Sequence, residues 1–445
     1  MEDNLKQMFL TVENPKKVFL QIAGTGTMTI DWGDGMDMTC SLSILKKRSW
    51  QKNKKCTYTH TYFDTYFVDD CTRIIKITGE NITHLDCSNN WLTDIDVSNN
   101  QALIYFDCSY NQLTSLDVSK NRALTELFCW TNQLTSLDLS NNIALTNLDC
   151  GDNCLTSLDV SKNIELKELG CCSNKLTSLD ISKNAELKEL DCLVNELKNL
   201  DVSNNTALIK LICCATSLTS LDVSNNPALT DLLCGENLLT SLDVRNNTAL
   251  TDLICYHNQL TTLDVSKNTA LTRLDCGCNQ LTSLDVNNNT VLEWLNCESN
   301  QLTSLDVSNN TALTNLLCHN NNLTSLDVSN NSALTELDCC SNQLTSLDTS
   351  KNIALKELCC GSNKLTSLDI SKNAELKELD RLASALKGLD ASNNTALIKL
   401  TRCATSLTSL NVSNNIALTE LYCNNNQLTS FLNILVELHC NENLK

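Results

Sequence analysis

Aromatic residues make up only 4% of this 445-residue chain, which also holds just two prolines, eleven glycines and five histidines. So little proline excludes a collagen-like or proline-rich linker protein, and 42% hydrophobic content excludes a chain that stays disordered. No run approaches 18 consecutive apolar residues, so no membrane-spanning helix is expected. The opening Met1-Glu2-Asp3-Asn4 is acidic and is not followed by an apolar core, so no signal peptide is visible. The net charge of −19 argues against general nucleic-acid binding, which needs cations to displace phosphate counterions. The histidines, His60, His84, His257, His319 and His439, form no nucleophile–base motif, and no phosphate loop is present. The expectation is a non-enzymatic protein that carries no cofactor and no metal.

Cysteine, in contrast, is abundant at 26 residues, and its placement decides the architecture. From Cys87, steps of 21 residues reach position 423 in sixteen moves, and fifteen of the seventeen sites are cysteine. The exceptions are Arg381 and Arg402, and a shortened last unit ends at Cys440. We number positions from this cysteine. Asn stands at +3 in fourteen of the seventeen repeats and at +13 in all sixteen full ones, while Asp stands at +9 fifteen times, from Asp96 to Asp390. Residues 174–226 reappear at 363–415, so the array grew by duplication and part of its regularity is copying.

The string L-x-x-L-x-C-x-x-N-x-L matches the constant half of a leucine-rich repeat. In the repeat around Cys129, the residues Leu124, Leu127, Cys129, Leu134, Leu137 and Leu139 are expected to point inward. One such unit cannot bury its apolar face alone, so the units must stack. The 21-residue unit with its cysteine ladder resembles the internalins, bacterial leucine-rich repeat surface proteins, over roughly residues 80–445. The resemblance implies a solenoid of about 18 coils, with a parallel β-sheet on the concave face and turns or short 3-10 segments on the convex face. It also implies a secreted or surface-attached recognition and adhesion protein; the absence of a visible leader keeps a cytoplasmic location as the alternative.

Residues 1–79 carry no repeat. Alternating runs predict strands at 18–22, 28–32 and 73–77, with turns at Gly24-Thr25-Gly26 and Gly33-Asp34-Gly35. Ile30-Asp31-Trp32-Gly33-Asp34-Gly35, with Tyr58-Thr59-His60-Thr61-Tyr62, resembles the polycystic-kidney-disease type of immunoglobulin-like domain, which implies an antiparallel β-sandwich. Asp31 and Asp34 are read as turn residues, with calcium as the rival role. Lys46 to Lys55 holds six cations around Trp50, either a solvated hairpin or a contact for an acidic partner.

Two chemical alternatives attach to the columns. The cysteines could be a metal store or disulfide frame, but one thiol every 21 residues makes a line rather than a four-ligand cluster, so buried packing is preferred. Cys172, Cys214, Cys340 and Cys403, one residue after ladder sites, and Cys359, one before, are expected to face outward and to oxidise readily. The Asp column could line up cations, but Asp-Val-Ser-x-Asn is turn chemistry.

If −2 and 0 point inward, then −3, −1 and +1 face the concave side. This exposes Tyr105, Tyr110, Phe128 and Trp130 in one neighbourhood, and a stripe of Ile212, Leu233 and Ile254 flanked by Tyr256 and His257. Apolar groups contiguous on a solenoid face mark a contact surface. These nine residues are the candidate site for a protein or glycan partner. The rival reading is a structural rod without a specific ligand. The last unit, Phe431 to Val436, lacks the polar turn, so self-association through an uncapped end, or continuation past Lys445, is the further expectation.

Overall fold

The structure, a computed structural model, describes residues 6–13, 15, 17–35, 37–42, 61–66, 71–380, 386–401, 407–422 and 430–431. The basic run 46–55, Tyr58 to His60, Arg381, Arg402, Cys403, Cys423, Cys440 and the terminal segment 432–445 lie outside the described residues. Internal contacts divide the chain into two compact units, Met1–Leu218 and Thr219–Lys445.

The first unit opens with six strands: β1 (Lys6–Val12), β2 (Lys17–Asp31), β3 (Asp37–Ser41), β4 (Thr61–Tyr66), β5 (Arg73–Asp86) and β6 (Leu92–Asp96). β2 pairs antiparallel with β3, β4 and β5, and β1 pairs antiparallel with β5 and β6. Two facing sheets of a sandwich are not seen among the described residues. The expected turn at Gly24-Thr25-Gly26 is instead an irregularity inside one long strand, where β2 shifts register against β5. The reason is steric: a Cβ on Gly24 would fall on the Asn81 carbonyl, and Gly26 holds φ 86°. The Gly33 turn does form, with the Gly33 amide donating to Asp31 Oδ1 at 2.9 Å and Trp32 buried beside it.

β5 is shared between the two architectures. Its end, His84–Asp86, pairs in parallel with Tyr105–Asp107, the first of a series of three-residue rungs spaced one repeat apart. Register between rungs has no stagger, so each residue sits beside its counterpart 21 positions on, as in Leu148 to Leu169 to Leu190. The second unit repeats this from Asp231–Leu233 onward, again with Leu232, Leu253 and Leu274 in line. The six residues expected inward around Cys129 are all buried, and the same positions are buried throughout the described repeats.

Polar side chains fix the coil. At +3, the Asn111 amide donates to the carbonyls of Cys87 (3.1 Å) and Cys108 (2.9 Å), while its Oδ1 accepts from the amides of Asn90 (3.0 Å) and Leu92 (2.9 Å). One side chain thus ties two successive coils, and its equivalents do so in both units. This bridge turns the chain sharply, and +2 takes a left-handed conformation at each described rung, from Asn89 (φ 57°) to Ser362 (φ 54°). On the convex side two successive i→i+3 turns close around the +13 asparagine, with Asn121 donating to the carbonyls of Val97 and Asn100. The convex segments are thus turns, one of the two forms expected there, and do not extend into 3-10 segments among the described residues.

The N-terminal strands close the ladder's first end. β2 covers the concave-sheet edge, pairing Ile22 with Leu85 and Ala23 with His84. Asn90, with no repeat before it, is satisfied by Phe19, whose amide donates to Oδ1 at 2.7 Å and whose carbonyl accepts Nδ2 at 2.6 Å. An unpaired edge is thereby removed.

Two substitutions test these bonds. Buried Oδ1 atoms of the +13 asparagines, such as that of Asn331, have no donor, except at Asn373, where Thr349 occupies the +10 position and its hydroxyl donates at 2.9 Å. Val307 stands to Asn331 as Thr349 stands to Asn373, so Val307→Thr is expected to gain about 1 kcal/mol of stability and Thr349→Val to lose about as much. A urea denaturation series that finds both variants equally destabilised refutes the pairing. Separately, Val194 is β-branched at φ 53°. Val194→Gly is expected to raise stability by roughly 1 kcal/mol in the same assay, through relief of the left-handed strain.

Candidate functional site

Each rung presents its centre to the core and its flanks to the concave side: in Tyr105–Asp107 and Glu126–Phe128 the middle residue is buried and the outer two are half-buried. The candidate aromatics form two separate pairs rather than one cluster. Tyr105 and Phe128 lie at −3 and −1 with ring centroids 5.5 Å apart, and His84 stacks on Tyr105 at 5.9 Å. Tyr110 and Trp130 meet edge-on at 4.3 Å on the far side of the rung, where Tyr110 occupies the left-handed +2 position.

Beyond Phe128 the −1 column runs Asp149, Gly170, Asp191, Ile212 on four successive rungs. Gly170 carries no side chain, and a Cβ there would come within 2.8 Å of Asp149 Oδ1. A hollow of about 190 Å³ results, bounded by Phe128 and Ile212 at its ends and flanked by Glu168, Glu189 and Lys210 at −3. Its −1 acids, Asp149 and Asp191, are half-buried, while Glu168 and Glu189 are exposed. Burial raises the Asp191 carboxyl, and burial followed by the Glu189 carboxylate raises Glu168. One rung before Phe128, Asp107 is pushed up to about 6 by burial, with Asp86 adding to the effect against the Ser109 amide.

In the second unit Leu233 and Ile254 are neighbours in the −1 column. Ile254 is 8% exposed, which corrects the expectation of an open stripe: Leu233 and Asp275 flank it in register and cover it. Tyr256 lies over Gly235 and donates to Glu236 Oε1 at 2.9 Å, and the exposed His257 meets its ring edge-on. Sequence reasoning passed over Trp294, whose ring lies 4.8 Å from the Arg273 guanidinium, and Trp91, which is 61% exposed. Each is a lone tryptophan in a column otherwise mostly polar, Glu recurring at −3 and Gln at +4, so periodicity gave no signal for them.

The off-ladder thiols divide. Cys172, Cys214 and Cys359 are half-buried, but Cys340 is 1% exposed rather than outward-facing, since the next rung lies across it and the Gly361 amide donates to its sulfur at 3.1 Å. The ladder thiols of Cys87, Cys150 and Cys276 donate weakly to next-rung carbonyls at 3.4–3.5 Å, and burial pushes them well above the usual thiol range. At +9, each described aspartate accepts the amide two residues on, as Asp117 does from Ser119 at 2.9 Å. Hydrogen bonds from the Ser119 hydroxyl and amide hold the Asp117 carboxyl below its usual range.

The functional domain of InlJ from Listeria monocytogenes, which includes a cysteine ladder, matches this structure with a TM-score of 0.69 and 38% identity, covering 73% of this chain and 75% of that one. The chain belongs to the internalin-like leucine-rich repeat proteins. An internalin (inlF), also from Listeria monocytogenes, shares the fold at 23% identity, covering 64% of this chain and 87% of that one with a TM-score of 0.59. So does YopM, a leucine-rich effector protein from Yersinia pestis, at 26% identity over 62% and 77% of the two chains with a TM-score of 0.51. No protein-family model matches the chain, and no curated protein does. Among the described residues of this internalin-like chain no helix is long and apolar enough to cross a membrane.

The raised Asp107 has a stability consequence whose sign is opposite to that of the +9 column. An acid whose folded pKa lies above its ordinary 3.8 destabilises the fold increasingly as pH rises from 3.8 to about 6, and by a constant amount above that. Asn296 shows that asparagine keeps the turn bond at this position, accepting the Glu298 amide at 3.0 Å. Asp107→Asn is therefore expected to stabilise by about 2–3 kcal/mol at pH 7.5 and to be neutral at about pH 3.5. Parallel pH profiles of the two melting temperatures would disprove it. The +9 aspartates, held low, contribute stability above the ordinary carboxylate range and lose it as pH falls through their folded values.

Proposed function

We propose that this internalin-like chain is a non-enzymatic recognition and adhesion protein, acting at the cell surface or in the secreted state, and that its concave face binds a protein partner. The hollow at Gly170 carries the reading. An acidic floor with apolar ends suits a segment that offers a Lys or Arg side chain between apolar ones, because a cation would relieve the unfavourable ionisation of Asp191 and Glu168. The Tyr105–Phe128 pair at its edge, and the Tyr110–Trp130 pair across the bend, supply anchors of the kind that dominate protein interfaces. Tyr105, Tyr110, Phe128, Trp130 and Ile212 form this surface on the first unit; Leu233, Ile254, Tyr256 and His257 are assigned to recognition on the second. In the same reading residues 1–79 serve as the cap and residues 80–445 as the binding solenoid. The membership of the chain among internalin-like proteins supports the class of role, and the acidic hollow favours protein over glycan.

The test compares partners retained by the intact protein with those retained by a Tyr105→Ala/Phe128→Ala/Trp130→Ala variant and by Ile143→Ala/Ile164→Ala, two exposed positions outside the rungs. The triple variant is expected to lose at least tenfold in partner affinity, and the pair to lose none. Binding should also weaken with salt, and less steeply once Asp149 and Asp191 are changed to Asn. Equal retention by all three proteins, with unfolding midpoints unchanged, rules out this face.

A further inference from the structure

On three successive rungs of the second unit, the +1 and −1 columns bring together residue types that occur together nowhere else among its described rungs. His319 stands at +1 of one rung, Asp338 and Cys340 at −1 and +1 of the next, and Cys359 at −1 of the third. The zero-stagger register sets Asp338 directly beside Cys359. One carboxylate oxygen of Asp338 and the sulfurs of Cys340 and Cys359 all lie within 4.8 Å of one another. Tetrahedral zinc at about 2.3 Å from each sulfur holds two thiolates roughly 3.8 Å apart, so side-chain rotation alone closes the group.

The surroundings are organised as a ligand shell. The Cys340 amide donates to Asp338 Oδ1 at 3.0 Å, fixing that carboxylate, and the Gly361 amide donates to the Cys340 sulfur at 3.1 Å, fixing the position of that sulfur. His319 Nε2 lies 3.0 Å from Glu298 Oε2, while Nδ1 lies 3.3 Å from Asp338 Oδ2, is buried and makes no hydrogen bond. A carboxylate accepting from Nε2–H leaves the Nδ1 lone pair facing Asp338 Oδ2, the arrangement that orients metal-binding histidines. Two acceptors, Nδ1 and Oδ2, at that separation are satisfied by a cation between them.

We propose that Asp338, Cys340 and Cys359, with His319 as the fourth ligand and Glu298 as its positioning partner, form a binding site for one thiophilic divalent cation of the zinc class. Two thiolates select against calcium and magnesium, which take oxygen ligands. Binding displaces the two thiol protons to solvent, so affinity falls as pH falls. The site differs from the ladder in the one respect that matters to a cation: its sulfurs, Cys359 half-buried and Cys340 covered by the next rung, stand beside a carboxylate and near an imidazole, whereas ladder thiols stand among leucines.

The test uses the whole chain, purified with reductant and chelator and then titrated with Co2+ and with Zn2+ in competition. One equivalent of Co2+ is expected to give tetrahedral d–d bands and a thiolate-to-cobalt charge-transfer band, both displaced by Zn2+. Cys340→Ser and Cys359→Ser should each remove the charge-transfer band or lower affinity at least 100-fold. His319→Ala and Asp338→Asn should lower it at least tenfold, and Glu298→Gln by about 10–100-fold. Cys154→Ser, on another part of the chain, should change nothing. Circular dichroism of each variant establishes that it is folded. An unchanged charge-transfer band in Cys340→Ser and Cys359→Ser overturns the proposal. So does its absence from the intact reduced protein, the result expected if His319 is an imidazolium bridging the Glu298 and Asp338 carboxylates. A Cys340–Cys359 disulfide that persists through the reducing purification overturns it as well.

Discussion

The carboxamide at +3 is the interaction on which the other regularities rest. It needs both kinds of hydrogen-bonding group at once: two N–H donors for carbonyls of two successive coils and an oxygen for amides of the preceding one. Aspartate lacks the donors. Threonine supplies one, as Thr216 does to the Cys213 carbonyl at 2.9 Å. The bridge ties successive coils together at a left-handed +2, a conformation that Ala215 (φ 52°) keeps even beside Thr216, and the chain is re-aimed there. Once spacing and direction are constant, register cannot drift, and each side chain is stacked on its own copy. Columns are thus a consequence of the asparagine, and the cysteines fill one of them.

Stacking like on like makes position, more than residue type, decide chemistry. Aspartate appears in two columns with opposite behaviour. At +9 it is in water, takes the serine amide and hydroxyl, and is held acidic. At −1 it shares a half-buried sheet face with the rungs on either side, and loss of hydration raises it at Asp107, Asp191 and Asp275. The second column pays in stability for what the first does not. Its interruptions in the first unit, Phe128, Gly170 and Ile212, are where, on the proposed reading, a partner's apolar side chains would meet flanking carboxylates.

How much of this could be read in the sequence depends on whether a column repeats. Cys, Asn and Leu recur with one identity, so the coil, its core and its period were legible, down to the six inward residues around Cys129. The left-handed +2 position escaped notice because it is filled by residues as different as Tyr110, Val194 and His257, with no glycine to mark it. The aromatics were expected together in one neighbourhood of the concave face, and their division into two pairs required knowing that +1 and +2 lie across a sharp bend from −1 and −3. The N-terminal strands were found piecemeal, and β2 was split in two because Gly24 and Gly26 mark a turn and a bulge equally well. Its role, standing in for a missing repeat against Asn90, depends on contacts 71 residues apart that no local pattern announces.

The same logic separates two kinds of cysteine. A ladder thiol has identical thiols one coil before and after it, apolar neighbours on both sides and a backbone carbonyl as its acceptor. Deprotonation there would bury a charge with no counter-ion, and the well-raised pKa values state that cost. Cys340 and Cys359 stand one strand position to either side of the ladder, at +1 and −1 of successive rungs, and so fall 19 residues apart rather than 21. That two-residue offset is what turns a vertical file into a lateral pair, because on adjacent zero-stagger rungs +1 and −1 flank the same inward column. A spacing shorter than the period by two is therefore a signature to seek in other ladder arrays: it places two thiols beside each other on neighbouring rungs, within reach of a carboxylate wherever −1 of the first rung is aspartate, as Asp338 is here.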